Sequence, residues 1–167
     1  IVSNHQSQFD IFVLYGYIGI DFKWVMKYEL RKVPGLGIGC EKIGHVFIDR
    51  SDSEKAIASL KAAKERIVNG TSIIFFPEGT RRIGNRLGEF KKGAFKMALD
   101  LNLPILPVTI RGTEKILPPK TMDLFPGCAQ LIIGKPISTE NFNDSNIEEL
   151  MQKVKEAMES KLYGDAF

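Results

Sequence analysis

Ile1-Val2-Ser3-Asn4-His5-Gln6-Ser7-Gln8-Phe9-Asp10 is the stretch on which the fold turns. A short β-prone run gives way to polar residues, and a long apolar segment starts directly after a carboxylate. Strand, bend and helix in that order form the first step of an α/β chain. The bend also matters for chemistry. In a continuous helix, five positions correspond to roughly 500° of rotation, which would leave His5 and Asp10 on different faces. Ser7 can cap a helix starting at Gln8, placing Asp10 in the first turn and the imidazole on the loop before it. His5 could then donate one ring N–H to Asp10 and keep its other nitrogen as a general base. A second reading stays open on these residues: Ser7-Gln8-Phe9-Asp10 also fits the S-x-x-D capping box, in which Asp10 serves only backbone donors.

Beyond Asp10 the chain alternates between strand and helix patterns. Residues 11–22 are apolar almost throughout, too short to cross a bilayer, which takes about 20 residues, and read as a buried helix or a membrane-docking one. A short strand is expected over 23–26 and a helical turn from Lys27. Pro34 and the glycines 35, 37 and 39 mark irregular chain, and the GLGIG run is read as a turn because no GK[ST] follows. Residues 44–50 read as a strand ending in Arg50. Ser51-Asp52-Ser53-Glu54 is a capping box opening a helix with Ala56, Leu60, Ala63 and Ile67 on its apolar face, stopping at Asn69-Gly70. Residues 71–76 form a buried-strand run ended by Pro77. A helix is expected over 88–102, with Phe90, Ala94, Met97, Ala98 and Leu101 inward and Lys91, Lys92 and Lys96 outward. A strand over 104–110 carries Pro107, the mark of an edge, a bulge or an end. After a Pro- and Gly-punctuated excursion over 112–128 comes a strand at 129–133. Ser145-Asn146-Ile147-Glu148 then caps a final helix whose apolar face is Ile147, Leu150, Met151, Val154, Met158 and Leu162. The alternation predicts one α/β domain over residues 1–167, with a mixed, mostly parallel twisted sheet flanked by helices.

The turn after the strand at 71–76, Pro77-Glu78-Gly79-Thr80-Arg81-Arg82, lies where open α/β sheets bind ligands. A glycine, a hydroxyl and two guanidiniums suit a phosphate, since backbone and Thr donors approach closely and Arg chelates two oxygens. An ordinary solvated loop has the same composition.

With 167 residues, 44% hydrophobic and 26% charged, the chain can bury a sizeable core. The net charge of +3 favours anionic partners without indicating nucleic acid, because no basic block is interleaved with aromatics. Cys40 and Cys128 form no CxxC pair, Cys40 with His45 is a weak thiolate–imidazole candidate, and His5 and His45 have no metal-ligand spacing with carboxylates. Neither a metal nor a cofactor is expected. The chain starts inside a strand pattern, so an upstream part of the protein is expected to be absent from it.

Four ordered segments carry a family resemblance. NHQSQFD matches the NHxxxxD motif of the glycerolipid acyltransferases; GHVFIDR, FPEGTR and LPILPVTI resemble their second, third and fourth motifs, and KYEL with VPGLG fits between the first two. Within that family the chain is most similar to the bacterial 1-acyl-glycerol-3-phosphate acyltransferases. The resemblance covers roughly residues 4–110. It implies a glycerol-3-phosphate acyltransferase-like fold and transfer of an acyl group from acyl-CoA or acyl-carrier protein to the sn-2 hydroxyl of a lysophospholipid. The product would be phosphatidic acid, made on the cytoplasmic face of a membrane such as the bacterial inner membrane. It also implies that His5 and Asp10 are the catalytic pair, and that Arg50, Glu78, Gly79, Thr80 and Arg81, with Lys27 as an addition, handle the acceptor and its phosphate. The competing readings are a sister acyltransferase using glycerol-3-phosphate or a lyso-aminolipid, a thioesterase, and a non-catalytic lipid- or acyl-carrier-binding module.

Overall fold

Parallel strand pairing dominates the computed structural model, which describes residues 1–49, 59, 70–82 and 86–163. The chain forms two compact units. One comprises Ile1–Gly19 with Phe76–Phe167; the other is Ile20–Phe75.

In the first unit the sheet order is β1-β5-β6, where β1 is Val2–Ser3, β5 is Pro107–Arg111 and β6 is Gln130–Ile133. β1 runs parallel to β5 in the register Ser3↔Val108, and β6 is antiparallel to β5 with Ile110 opposite Leu131. Pro107 opens β5, so its missing N–H falls at a strand start, one of the three placements expected of it. The first four residues of β5 are buried, as in a strand covered on both faces. Helix α5, Ile147–Leu162, packs against β5 and buries Ile147, Leu150, Val154, Met158 and Leu162. That is the expected apolar face except for Met151, which is only half-buried. No side chain caps α5: Ser145 donates to Asn143 Oδ1, and Asn146 Oδ1 accepts from the Asn143 N–H. Helix α3, Gly93–Asp100, begins later than the sequence pattern suggests and buries Phe95 completely. Lys92 and Lys96 pair with Glu148 and Asp144. The excursion after β5 contains a short helix α4, Thr113–Ile116.

Helix α1, Phe9–Tyr17, buries Asp10, Val13 and Leu14, but Phe12 is 65% exposed and Ile11, Tyr15 and Tyr17 also face solvent. The expectation of a buried helix over 11–22 is therefore corrected. The helix ends by Ile18, Gly19 takes a positive φ of 71°, and only one stripe enters the core.

The second unit holds a parallel sheet of order β3-β2-β4, formed by Phe22–Lys27 (β2), Val46–Ile48 (β3) and Ser72–Ile74 (β4). A 3₁₀ turn, Tyr28–Lys32, follows β2. Only Gly35 of the GLGIG run is in a turn; Leu36–Gly39 open helix α2, Leu36–Lys42. The reason is packing. A Cβ on Gly37 would fall on the Arg31 carbonyl oxygen, so glycine lets α2 lie directly on the 3₁₀ turn, and this contact overrides poor helix propensity. His45 is buried here, with its Nδ1 accepting from the Trp24 N–H at 3.4 Å, which is a structural role. The helix expected from the capping box at 51–54 lies outside the described residues. Among the described residues the named strands make three parallel pairings and one antiparallel, the expected mixed, mostly parallel pattern.

Candidate active site

The ends of β1 and β5 build the site. Because the strands are parallel, the residues leaving both are at the same edge of the sheet, the edge at which open α/β sheets place ligands. Asn4 fixes this end. Its side-chain amide donates to the Ile110 carbonyl at 2.8 Å and accepts the Ile110 N–H at 2.7 Å, extending the β1–β5 ladder by one side chain. The chain then bends, and His5 is the first residue beyond the sheet.

The bend brings His5 and Asp10 together. Asp10 Oδ2 lies 2.7 Å from His5 Nδ1, with Asp10 fully buried and the His5 side chain 17% exposed. The same oxygen accepts the N–H groups of Gln6 at 2.7 Å and Ser7 at 3.0 Å. Ser7 Oγ accepts the Phe9 N–H at 3.0 Å. The carboxylate thus satisfies backbone donors of the bend, as the capping-box reading has it, but not those alone, since it also holds the imidazole. A carboxylate oxygen only accepts, so Nδ1 carries the proton and Nε2 has the free lone pair of a base. The ring lies flat on Phe76, with centroids 3.9 Å apart and planes 9° from parallel.

The turn 76–82 is tied to His5 along its backbone. Glu78 is buried; its Oε1 accepts the His5 N–H at 3.1 Å and its Oε2 the Gly88 N–H at 2.7 Å. The Arg82 N–H returns to the His5 carbonyl at 2.9 Å. Glu78 therefore points inward to main-chain donors, whereas Thr80 and Arg81 are exposed at the turn's rim. Gly79, at φ +69°, is where the turn reverses, and the Lys91 side chain lies against it. The structure thus gathers His5, Asp10, Glu78, Gly79, Thr80 and Arg81 in one unit. Lys27 ends β2 in the other unit and is exposed, and Arg50 lies outside the described residues.

Three contributors were given no role by the sequence reading. Asn4 and Phe76 lie inside the NHQSQFD and FPEGTR segments and could have been suspected from that alone. Thr113 had no local signal; its hydroxyl donates to Asp10 Oδ1, and both residues are fully buried. Among the described residues no three His, Cys, Asp or Glu side chains gather as a metal site.

An α/β unit with a carboxylate-oriented histidine at the carboxyl edge of its parallel strands, beside a Gly-Thr-Arg turn, has the layout of an enzyme that draws a proton from a hydroxyl. The acyltransferase family matches residues 1–111, and the chain belongs to that family. It is similar to the chloroplastic 1-acyl-sn-glycerol-3-phosphate acyltransferase of Brassica napus, at 37% identity over 94% of this chain and 45% of that protein. The Saccharomyces cerevisiae 1-acyl-sn-glycerol-3-phosphate acyltransferase is also 37% identical, over 95% of this chain and 53% of its own length. The crystal structure of the 1-acyl-sn-glycerophosphate acyltransferase PlsC from Thermotoga maritima superposes with a TM-score of 0.77 at 33% identity, covering 96% of this chain and 63% of that one. The chain thus spans about half the length of the curated relatives it matches.

Proposed function

We propose that this protein transfers a fatty acyl group from acyl-CoA or acyl-carrier protein to the sn-2 hydroxyl of 1-acyl-glycerol-3-phosphate, giving phosphatidic acid. The observation that carries the chemistry is the 2.7 Å contact between His5 Nδ1 and the buried Asp10 carboxylate, which leaves Nε2 to act as base. The names of the relatives support the choice of acceptor.

His5 Nε2 takes the acceptor hydroxyl's proton as the oxygen attacks the thioester carbonyl carbon. Asp10 holds the ring and stabilises the imidazolium. The tetrahedral intermediate collapses by breaking the C–S bond, and the thiolate leaves with the proton returned from His5. A thioester is already activated, so no enzyme nucleophile is required, and the chain has no G-x-S-x-G elbow. Arg81 and Thr80 hold the acceptor phosphate from the rim of the turn, and orientation of the neighbouring hydroxyl follows. Glu78 and Gly79 shape that turn from within.

The reaction takes place at a membrane surface. Among the described residues no helix is long and apolar enough to cross a membrane. Helix α1 nevertheless shows Ile11, Phe12 and Tyr15 to solvent, and Met122, Leu124 and Phe125 are exposed in the same unit, a suitable surface for interfacial docking. A half-open pocket of about 620 Å³ beside α1 has Phe9, Val13, Ile116, Phe125 and Leu131 in its lining, side chains along which an aliphatic chain can lie. A cytoplasmic face completes the reading.

The test is acceptor competition in mixed micelles. With labelled acyl-CoA, lysophosphatidic acid should be acylated in preference to glycerol-3-phosphate and to a lyso-aminolipid. Preferential acylation of either competitor would overturn the assignment of acceptor while keeping the transfer chemistry.

A further inference from the structure

We infer that Thr113 is a positioning residue for the catalytic pair, and that its hydroxyl locks the Asp10 carboxylate in the one orientation that presents Oδ2 to His5. This rests on the reading of His5 as the base. Asp10 uses its two oxygens unequally. Oδ2 already meets three donors, His5 Nδ1 and the N–H groups of Gln6 and Ser7. Among the described residues, Oδ1 has the Thr113 hydroxyl, which donates to it. A carboxylate held on one side only can rock about its last torsion, a broad and soft one. With a donor on each oxygen it cannot rock without breaking a bond to a charged group in a site closed to water.

The fold delivers that hydroxyl by a specific route. β5 ends at Arg111, and Gly112 turns the chain at φ +84°, where a Cβ would also fall on the Cys128 carbonyl oxygen. Thr113 is then the first residue of α4, on the same sheet edge that releases His5 from β1. The other end of α4 is pinned to the same bend, since Ser7 Oγ donates to the Leu117 carbonyl at 2.5 Å. The Thr113 and Ser7 bonds both dock α4 on the His5–Asp10 segment, and of these two only the first touches the reacting pair. Thr113 lies outside all four motif segments, so its part in the site follows from the tertiary arrangement alone.

The experiment compares Thr113→Val, Thr113→Ser, His5→Ala and the unchanged full chain in micellar assays with lysophosphatidic acid and acyl-CoA, with thermal melts on each. Valine keeps the shape and removes the donor; serine keeps the donor. The inference predicts that Thr113→Val lowers kcat about 10- to 100-fold, the range expected for a bond to a charged group, with both KM values within about twofold of the unchanged chain. Thr113→Ser should restore kcat to within about threefold, although its melting temperature falls through the lost methyl. Full kcat in Thr113→Val while His5→Ala is inactive would overturn the inference and leave the base reading intact. A serine variant as slow as the valine one, in a protein folded at the assay temperature, would overturn it too, because packing and not the hydroxyl would then be at work. Activity surviving in His5→Ala would sink the underlying reading instead.

Discussion

Glu78→Gln tests how the turn 76–82 supports the histidine. The wild-type carboxylate accepts one N–H on each oxygen, from His5 at 3.1 Å and Gly88 at 2.7 Å, in a position 3% exposed. Glutamine retains one acceptor oxygen. Whichever way the amide is set, its NH₂ faces an N–H group, so one bond is lost and one buried donor is orphaned. Bonds to charged groups contribute about 1.5–3 kcal/mol and an orphaned donor costs about 1–3 kcal/mol, with overlap between the two terms. A net destabilisation of about 2–4 kcal/mol follows, which for a chain of this size lowers the melting temperature by about 4–16 °C. If the amide turns its NH₂ toward His5, the Arg82 N–H to the His5 carbonyl is the remaining backbone tie, and a misplaced base reduces kcat by about tenfold or more. The acceptor's KM should stay near its wild-type value, because the carboxylate faces the protein and not the rim. Circular dichroism melts and steady-state kinetics well below the melting temperature give both numbers. A Gln variant that melts within about 2 °C of wild type, or one whose main defect is a raised acceptor KM, would refute the reasoning.

Three further outcomes follow from other parts of the chain. Burial, reinforced by the Lys23 ammonium and partly offset by Asp21, pushes His45 below its ordinary 6.5, so the unfolded chain takes up that proton first as pH falls. Stability should therefore be lost below about pH 6.5, and His45→Gln should flatten the change in denaturation midpoint between about pH 7.5 and 5.5; equal slopes in both proteins would contradict this. In α2 the two helical glycines should respond oppositely to alanine. Gly37→Ala meets the Arg31 carbonyl and costs about 1–3 kcal/mol or more, whereas Gly39→Ala has open space and gains about 0.4–1 kcal/mol, both readable from urea midpoints. Phe12→Ser with Tyr15→Ser, both on the exposed side of α1, should weaken binding to anionic lipid vesicles about tenfold or more without changing the fold, and unchanged co-sedimentation would count against docking through α1.

The sequence was most legible where local chemistry and tertiary structure agree. His5 and Asp10 could be paired because a bend signal separates them, and that bend is present. β5 was readable from its apolar run, Pro107 included, and α5 from the spacing of Leu150, Val154 and Met158. Legibility failed where long-range packing decided. Gly37 reads as a breaker, yet it is helical because only a glycine fits against Arg31. Phe12 and Tyr15 read as core, yet they are exposed, because composition identifies an apolar helix without saying which of its sides finds a partner. Glu78 sits in a turn whose composition suggests ligand contact, but its direction, inward to two backbone donors, depends on residues ten positions downstream and seventy-three upstream. Thr113 is the extreme case, meeting Asp10 across 103 positions of chain with no pattern around it to mark it.

The central claim is that His5, held by Asp10, is the base that moves an acyl group onto a lysophospholipid hydroxyl. The most direct measurement is the product formed from labelled acyl-CoA and lysophosphatidic acid by the unchanged protein and by His5→Ala. The account predicts phosphatidic acid from the former and a kcat lower by roughly 10²-fold or more in the latter, measured where the variant is still folded. Undiminished phosphatidic acid synthesis by His5→Ala, or free fatty acid as the sole labelled product of the unchanged protein, would contradict it.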